Sequence, residues 1–171
     1  MIRIEKPKLS QIDELVDLAR ITLVQSHGHS APKAEIDKYL DENYTESVLK
    51  KELLDVSNIY HVLFYKDVMV GFSKLILNQS IDPVTARNIA KLQRIYLLND
   101  YQGLGLAKTL LDFNISILKA NKQVGMWLFV WVENKRAIRF YEKNNFITVG
   151  EYDFKVSENH YNPNWQMYLE L

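Results

Sequence analysis

Between Asn99 and Lys108 the chain reads NDYQGLGLAK, a polar turn with two glycines that runs into an apolar stretch. Gly103 and Gly105 carry no Cβ to hold a ligand off the backbone, and both tolerate positive φ. A helix opening near Gly105 leaves unpaired N–H groups and the positive end of its dipole at the same spot. Behind a strand from Lys91 to Leu98, such a turn makes a cradle for an anion, usually phosphate. The plainer reading is a βα corner that the glycines merely close. A second constellation is NKRAIRFY, Asn134 to Tyr141. Asn134 and Tyr141 lie seven residues apart, two helical turns, with Ala137 between them on one face. Tyr141 brings a phenol that stays protonated at neutral pH and can donate a proton. Here the plainer reading makes Asn134 an N-cap and Ala137, Ile138 and Tyr141 core.

The elements that would position these groups follow in order along the chain. Ile2 to Lys6 is a first strand. Ser10 is placed to cap a helix, with Asp13 at the capping-box position, and Ile12, Leu15, Val16, Ala19 and Leu23 then share one face. The helix gives way at residues 26–32, SHGHSAP. His27 and His29, with no cysteine nearby, are thin ground for a metal site, and a mobile loop is expected there. Ala34 to Tyr44 and Glu46 to Leu54 are two more helices, the second capped by Thr45. Glu35, Asp37, Asp41 and Glu42 make the first of them acidic, either as a solvated face or as a wall that attracts a cationic substrate.

Ile59 to Tyr65 and Val68 to Leu77 form a hairpin across Lys66-Asp67, followed by a polar loop to Asn88. In the strand before the glycine turn, Leu92, Ile95 and Leu97 fall at steps of three and two. That break in period predicts a β-bulge, or else burial on both faces. A bulge would turn N–H groups away from the ladder. The helix from Gly105 to about Ala120 buries Leu106, Leu110, Phe113 and Ile117. MWLFVWV, residues 126–132, reads as a strand covered on both faces, as in a parallel pair. Asn134 starts a helix that Asn145 ends in the left-handed region. Strands near Tyr152 to Val156 and Asn164 to Leu171 close the chain. The fold class is a single α/β domain over 1–171, with a mixed sheet of about seven strands flanked by helices.

Length and composition agree: 171 residues with 47% apolar content suit one substantial core. Twenty-one basic residues balance twenty-one acidic ones, so no global charge recruits nucleic acid or an anionic membrane. The balance is local, however. Residues 1–60 carry eight basic and eleven acidic side chains, whereas Lys91 to Lys143 carry nine and four, around the glycine turn. That positive stretch is either a field for phosphate or scatter over solvated faces. With no cysteine there is no disulfide, thiol nucleophile or zinc finger. No signal core or membrane-length apolar run is present, so a soluble cytoplasmic protein is the expectation.

Among phosphate motifs, the Walker pattern is absent, and a dinucleotide fingerprint fails because Lys108 occupies its third glycine position. Gln102-x-x-Gly105-x-Ala107 instead resembles the acetyl-CoA pyrophosphate motif, Q/R-x-x-G-x-G/A, of the GNAT acetyltransferase superfamily. Asn134 to Tyr141 resembles its other signature, N-x-x-A-x-x-F-Y, in the correct order and spacing. The chain is identified on these motifs as a member, most similar over residues 127–143 to the bacterial spermidine/spermine (PaiA-like) branch. Arg94-Ile95-Tyr96 points the same way.

The resemblance implies acetyl-CoA as co-substrate, no metal, and a sheet splayed at the cofactor slot. Residues 91–143 would form the binding core and 1–60 the acceptor side. Ile95, Tyr96 and Leu97 would meet the pantetheine arm. Gln102, Gly103, Leu104, Gly105, Leu106, Ala107 and Lys108 would hold the pyrophosphate, and Asn134, Ala137 and Tyr141 the far side of the cofactor. As catalytic groups it implies the Leu97 N–H for the oxyanion and Tyr141 as acid. Many relatives have a glutamate where this chain has Gln93, which cannot titrate. Glu133, Asp153 or a water chain past Tyr96 are then the bases to weigh. The acceptor would be a small cationic amine, a polyamine ahead of an amino acid or protein N-terminus, and homodimers are compatible with the family. The rival class is a catalytically idle CoA-binding module.

Overall fold

A computed structural model describes all residues 1–171. Strand β1 (Ile2–Glu5) leads into three helices, α1 (Ile12–His27), α2 (Lys33–Asn43) and α3 (Glu46–Leu54). Strands β2 (Asn58–Tyr65), β3 (Val68–Ile76) and β4 (Ile89–Leu97) follow, then α4 (Leu106–Ala120) and β5 (Gly125–Trp131). Helix α5 (Lys135–Lys143) and the hairpin β6 (Ile147–Ser157) and β7 (His160–Glu170) complete the chain. The seven strands form one sheet in the order β1-β2-β3-β4-β5-β7-β6. Every neighbouring pair is antiparallel except β4 with β5, which the crossover helix α4 connects.

Local chemistry accounts for most boundaries. Lys66 and Asp67 both take positive φ, 49° and 65°, the conformation a two-residue turn between twisted strands demands. The Thr45 hydroxyl accepts from the Val48 N–H and starts α3. Asn145, at φ 66°, stops the chain after α5. The predicted cap at Ser10 is not used. Residues Leu9–Gln11 form a 3-10 turn instead, closed by Gln11 Oε1 accepting from the Lys8 N–H at 2.8 Å, and α1 begins at Ile12. The final hairpin also exceeds its predicted length, because β6 and β7 each run eleven residues. Polar residues such as Glu151 and Asn162 hide that continuation from a hydrophobicity reading.

Helices α1, α2 and α3 cover one face of the sheet, burying Leu15, Leu49 and Phe72 completely. Helices α4 and α5 cover the other, over Met126, Leu128 and Met167. Each such side chain contributes roughly 1.5–3 kcal/mol by leaving water. The buried stripe of α4 is Leu106, Leu110, Leu111, Asn114 and Leu118, so the predicted Phe113 and Ile117 lie on its flank, half-buried. The rotation has a polar cause: Asn114 Oδ1 accepts from the Ser73 hydroxyl at 3.1 Å in the centre of the interface.

The predicted bulge is present. In the ladder of β3 with β4, Lys74 faces Arg94 but Leu75 faces Leu92, leaving Gln93 as the extra residue. On its other edge β4 pairs with β5 only through Ile89 with Gly125, Ala90 with Met126 and Lys91 with Trp127. Strand β5 meanwhile stays paired with β7 over all seven of its residues. From Leu92 onward the two strands diverge, and the sheet opens.

Beside Asn114, His61 is 4% exposed with its Nδ1 unpartnered, and its ring meets Phe113 edge-on at 4.8 Å. Burial, then the charge of Lys6, lowers its pKa to about 4. Folded His61 is therefore neutral where the unfolded imidazole takes a proton, so its contribution is intact above about pH 6.5 and is lost as pH falls toward 4. Chemical denaturation at stepped pH should give a shallower loss of stability over that window for His61→Leu than for the parent. Parallel slopes would show that His61 protonates freely in the fold.

Candidate active site

The divergence of β4 and β5 opens a cleft of about 870 Å³ that runs from the glycine turn to the α1–α2 loop and the β6–β7 hairpin. At its outer end, Gly103 and Gly105 take φ +80° and +77°, and a Cβ on either would meet nothing within 4 Å. Gly105 is the N-cap of α4, and the first helical bond runs from the Thr109 N–H to its carbonyl. The six consecutive N–H groups from Gly103 to Lys108 thus make no backbone hydrogen bond. A row of free donors at a helix start, open to the cleft, has the chemistry to hold an anion. The Lys108 ammonium is held by Asp112 and the Gln102 amide by Asn99, so the backbone carries the donor capacity.

Along β4, the Leu98 N–H is spent on the Val70 carbonyl at 2.9 Å. Successive strand residues address opposite neighbours, so Leu97 and Ile95 direct their N–H groups to the side from which β5 has departed. Across the gap, Asn134 Oδ1 accepts from the Ala137 N–H at 3.1 Å and caps α5. Tyr141 is buried to 8% exposure against Phe140 and Phe146, and burial alone raises its phenol pKa. Both plain readings of these residues hold, and both residues still line the cleft.

Of the residues singled out in the sequence, Ile95, Tyr96, Leu97, Gln102, Gly103, Gly105, Leu106, Ala107, Lys108, Asn134, Ala137 and Tyr141 converge on this cleft. Leu104 does not: it points to solvent at 53% exposure, so only its N–H can take part. Gln93 and Glu133 line the cleft, whereas Asp153 is exposed outside it and drops out as a base.

The inner end differs from expectation. His27 is the last residue of α1 rather than part of a mobile loop, and both histidines pack on Trp131, with ring centroids 6.0 and 5.1 Å away. Burial, then His29, lowers the His27 pKa to about 4. Helix α2 shows the cleft Ile36 and Tyr39, not its acids. Glu35 accepts from the Ser157 hydroxyl at 2.9 Å, and Asp37, Asp41 and Glu42 pair with Lys33, Arg20 and Lys38. Of the two readings of this helix, the outer face holds: its acids are engaged there, and no acidic wall for a cation faces the cleft.

Sequence reading also missed the buried polar cluster behind this end. Arg94 reaches Glu52 at 2.8 Å and lies 4.7 Å over the Tyr44 ring, while Lys74 reaches the same carboxylate at 3.0 Å and Tyr60 donates to it. Burial raises the Glu52 carboxyl pKa, but Arg94, Tyr60 and Lys74 more than offset this and bring it below the ordinary value. An arginine inside a buried strand was the available signal, since it must find a partner. The cluster ties α3 to β2, β3 and β4 and fixes the strand just past the bulge.

Residues 18–146 match the family described as Acetyltransferase (GNAT) family. An "Uncharacterized N-acetyltransferase in pepI 3'region" of Lactobacillus delbrueckii subsp. lactis is 24% identical, over 92% of this chain and 91% of the relative. A "Spermidine N(1)-acetyltransferase" of Thermoplasma acidophilum is 26% identical, over 85% of this chain and 88% of its own. The crystal structure of PaiA N-acetyltransferase from Thermoplasma acidophilum, in complex with coenzyme A, superposes with a TM-score of 0.81 at 22% identity, over 100% of this chain and 99% of that one. The ribosomal-protein-S18-alanine N-acetyltransferase from Escherichia coli gives 0.70 at 19%, over 99% and 94%. These likenesses establish the fold.

Removing the shared carboxylate, as in Glu52→Leu, leaves two buried cations unpaired. Breaking a fully buried ion pair costs about 3–5 kcal/mol, and the partial exposure of Glu52 puts this site near the lower end. Urea unfolding of the variant measures it. A loss below about 1 kcal/mol would show that the cluster does not hold α3 to the sheet.

Proposed function

The chain belongs to the acetyltransferase (GNAT) family and is an N-acetyltransferase, and on that premise we propose that it moves the acetyl group of acetyl-CoA to a primary amine by direct attack. The observation that carries the reading is the row of six free N–H groups from Gly103 to Lys108 at the mouth of an open strand pair. A pyrophosphate accepts from several such donors at once without displacing any internal hydrogen bond. The pantetheine arm then lies along Ile95 to Leu97, with Asn134, Ala137 and Tyr141 across from it. A neutral amine nitrogen attacks the thioester carbon, the Leu97 N–H donates to the oxyanion, and the carbon–sulfur bond breaks. Amine nitrogen loses a proton and thiolate sulfur gains one.

Tyr141 donates a hydrogen bond to the leaving sulfur. Its raised pKa keeps the phenol protonated at any working pH but also makes it a weaker acid than a thiol. Its help is therefore a hydrogen bond to the developing thiolate, completed by solvent. Of the bases considered, Glu133 and water past Tyr96 stay in reach of the cleft, and Gln93 contributes at most a hydrogen bond.

A polyamine acceptor draws support from the spermidine relative and from the likeness of residues 127–143 to that branch. A carboxylate-bearing amine has a separate support in the cleft itself. With Arg94 paired to Glu52 and Lys108 to Asp112, its remaining charged lining is Lys91, Lys135 and Arg136 against Glu133, which is poor company for a polycation.

Two variants test the reading. Gly105→Asp puts a side chain and a negative charge where phosphate oxygens approach, so calorimetric titration should find coenzyme A binding abolished in a folded protein. Retained affinity there removes the pyrophosphate assignment. Tyr141→Phe should lower kcat by roughly ten- to a thousandfold at similar KM for acetyl-CoA, followed by thiol release over a panel of polyamines, amino acids and peptides. A normal kcat with reduced thermal stability would leave Tyr141 as core only, and no thiol release with any amine, despite tight coenzyme A binding, would leave the idle module.

A further inference from the structure

Resting on the acetyl-transfer reading, we propose that the attacking amine donates a hydrogen bond to Nε2 of His27, which aims the amine lone pair at the thioester carbon. His27 is the last residue of α1, and its ring bridges the splayed strands. Its centroid lies 6.3 Å from that of Tyr96 on β4 and 6.0 Å from that of Trp131 on β5. Counting on from the pair Lys91 with Trp127, Trp131 stands level with Ile95, so the imidazole is at the open end of the gap, next to Leu97 in level. A second contact fixes that level. Gln25 Oε1 accepts from the Asn99 N–H at 3.0 Å and ties the end of α1 to the segment just past Leu97.

Neighbouring groups decide which ring nitrogen carries the proton. The Ser26 hydroxyl lies 2.8 Å from the Thr22 carbonyl and 3.1 Å from that of Leu23. Neither carbonyl can donate, so the single hydroxyl proton is spent there. Toward His27 Nδ1, 2.7 Å away, the same oxygen therefore accepts, and Nδ1 is the protonated nitrogen. Nε2 keeps its lone pair, makes no hydrogen bond within the protein, and is not sealed off from the cleft that the ring lines. Burial, and then His29, hold the ring neutral down to about pH 4, so this acceptor is present at every working pH.

A neutral primary amine brings one lone pair and two N–H groups. One N–H on Nε2 anchors the nitrogen between Tyr96 and Trp131 and leaves the lone pair free to face the acetyl carbon. As the carbon–nitrogen bond forms, the nitrogen becomes positive and its hydrogen bond becomes charge-assisted, roughly twice as strong. The contact thus gains in the transition state over the ground state, which is the condition for raising kcat. An imidazole so reluctant to charge does not keep the proton. When the carbon–sulfur bond breaks, the amine proton leaves for water and the thiolate takes one from solvent. The plainer role, a ring that only packs against Tyr96 and Trp131, has no use for the lone pair.

Nitrogen NMR of the isotopically labelled protein reads the tautomer, with His27 identified by the signal that His27→Gln removes. The expected form is Nδ1–H, and an Nε2–H ring overturns the proposal whatever the activity. Thiol release is then followed for the parent, His27→Phe and His27→Gln, using the fastest acceptor among spermidine, leucine, phenethylamine and an alanyl peptide. His27→Phe keeps a ring for packing and should lose about ten- to a hundredfold in kcat at similar KM for acetyl-CoA. His27→Gln sets an amide oxygen near the place of Nε2 and should recover kcat to within about fivefold of the parent. Calorimetric titration with coenzyme A shows that each variant keeps its cofactor cleft. No loss in His27→Phe, or an equal loss in both variants, overturns the assignment. In the second case the ring either packs or takes the proton itself. Absence of thiol release from the parent with every acceptor brings down the transfer reading and this one with it, whereas the variant outcomes bring down this one alone.

Discussion

Backbone groups inside a sheet are normally spent on both neighbours, and in this protein β4 stops meeting that condition after Lys91. The stretch from Leu92 to Leu97 keeps β3 on one edge and faces an opening on the other. Buried polar backbone without partners is costly, so such an opening persists only where water or a ligand completes it. Gln93 makes the geometry possible by adding one residue to β4 within its ladder to β3. Strand β5 is held open in turn by its full ladder with β7.

The two ends of the cleft are built from different materials, and that decides how much of each could be read in advance. The outer end is made of backbone. Its requirements are two glycines, a strand before and a helix after, all local in sequence and written in Gln102 to Lys108. The bulge was legible for the same reason, since a step of three among Leu92, Ile95 and Leu97 is a local violation of strand period.

The inner end is made of side chains from α1, α2, β4, β5 and the last hairpin, brought together over long separations. His160 Nε2 donates to the Ser30 carbonyl at 2.8 Å across 130 residues. No periodicity reports such a contact, which is why His27 and His29 read as a loop and the α2 acids stayed open between a solvated face and a wall. Local charge pattern is a weak guide there. Glu35, Asp37, Asp41 and Glu42 find partners within α2, on α1 and at the hairpin tip, and present nothing to the cleft. Conversely Glu52, unremarkable in sequence, is the carboxylate that anchors Arg94 and Lys74.

The three-pair junction between β4 and β5 also bears on how the chain comes together. On one side lie β1 to β4, on the other β5 to β7, and within each block every strand pair is antiparallel, with two-residue turns joining β2 to β3 and β6 to β7. Contacts close in sequence form quickly, whereas a parallel pairing must first close the loop that holds α4. The cleft, bounded by one strand from each block, exists only once that junction has closed. Until then the apolar run Met126 to Trp131 presents an uncovered edge, the kind of segment that pairs with other chains. Helix α4, whose residues pack over β3 as well as β5, covers one face of both strands and so spans the junction from one block to the other.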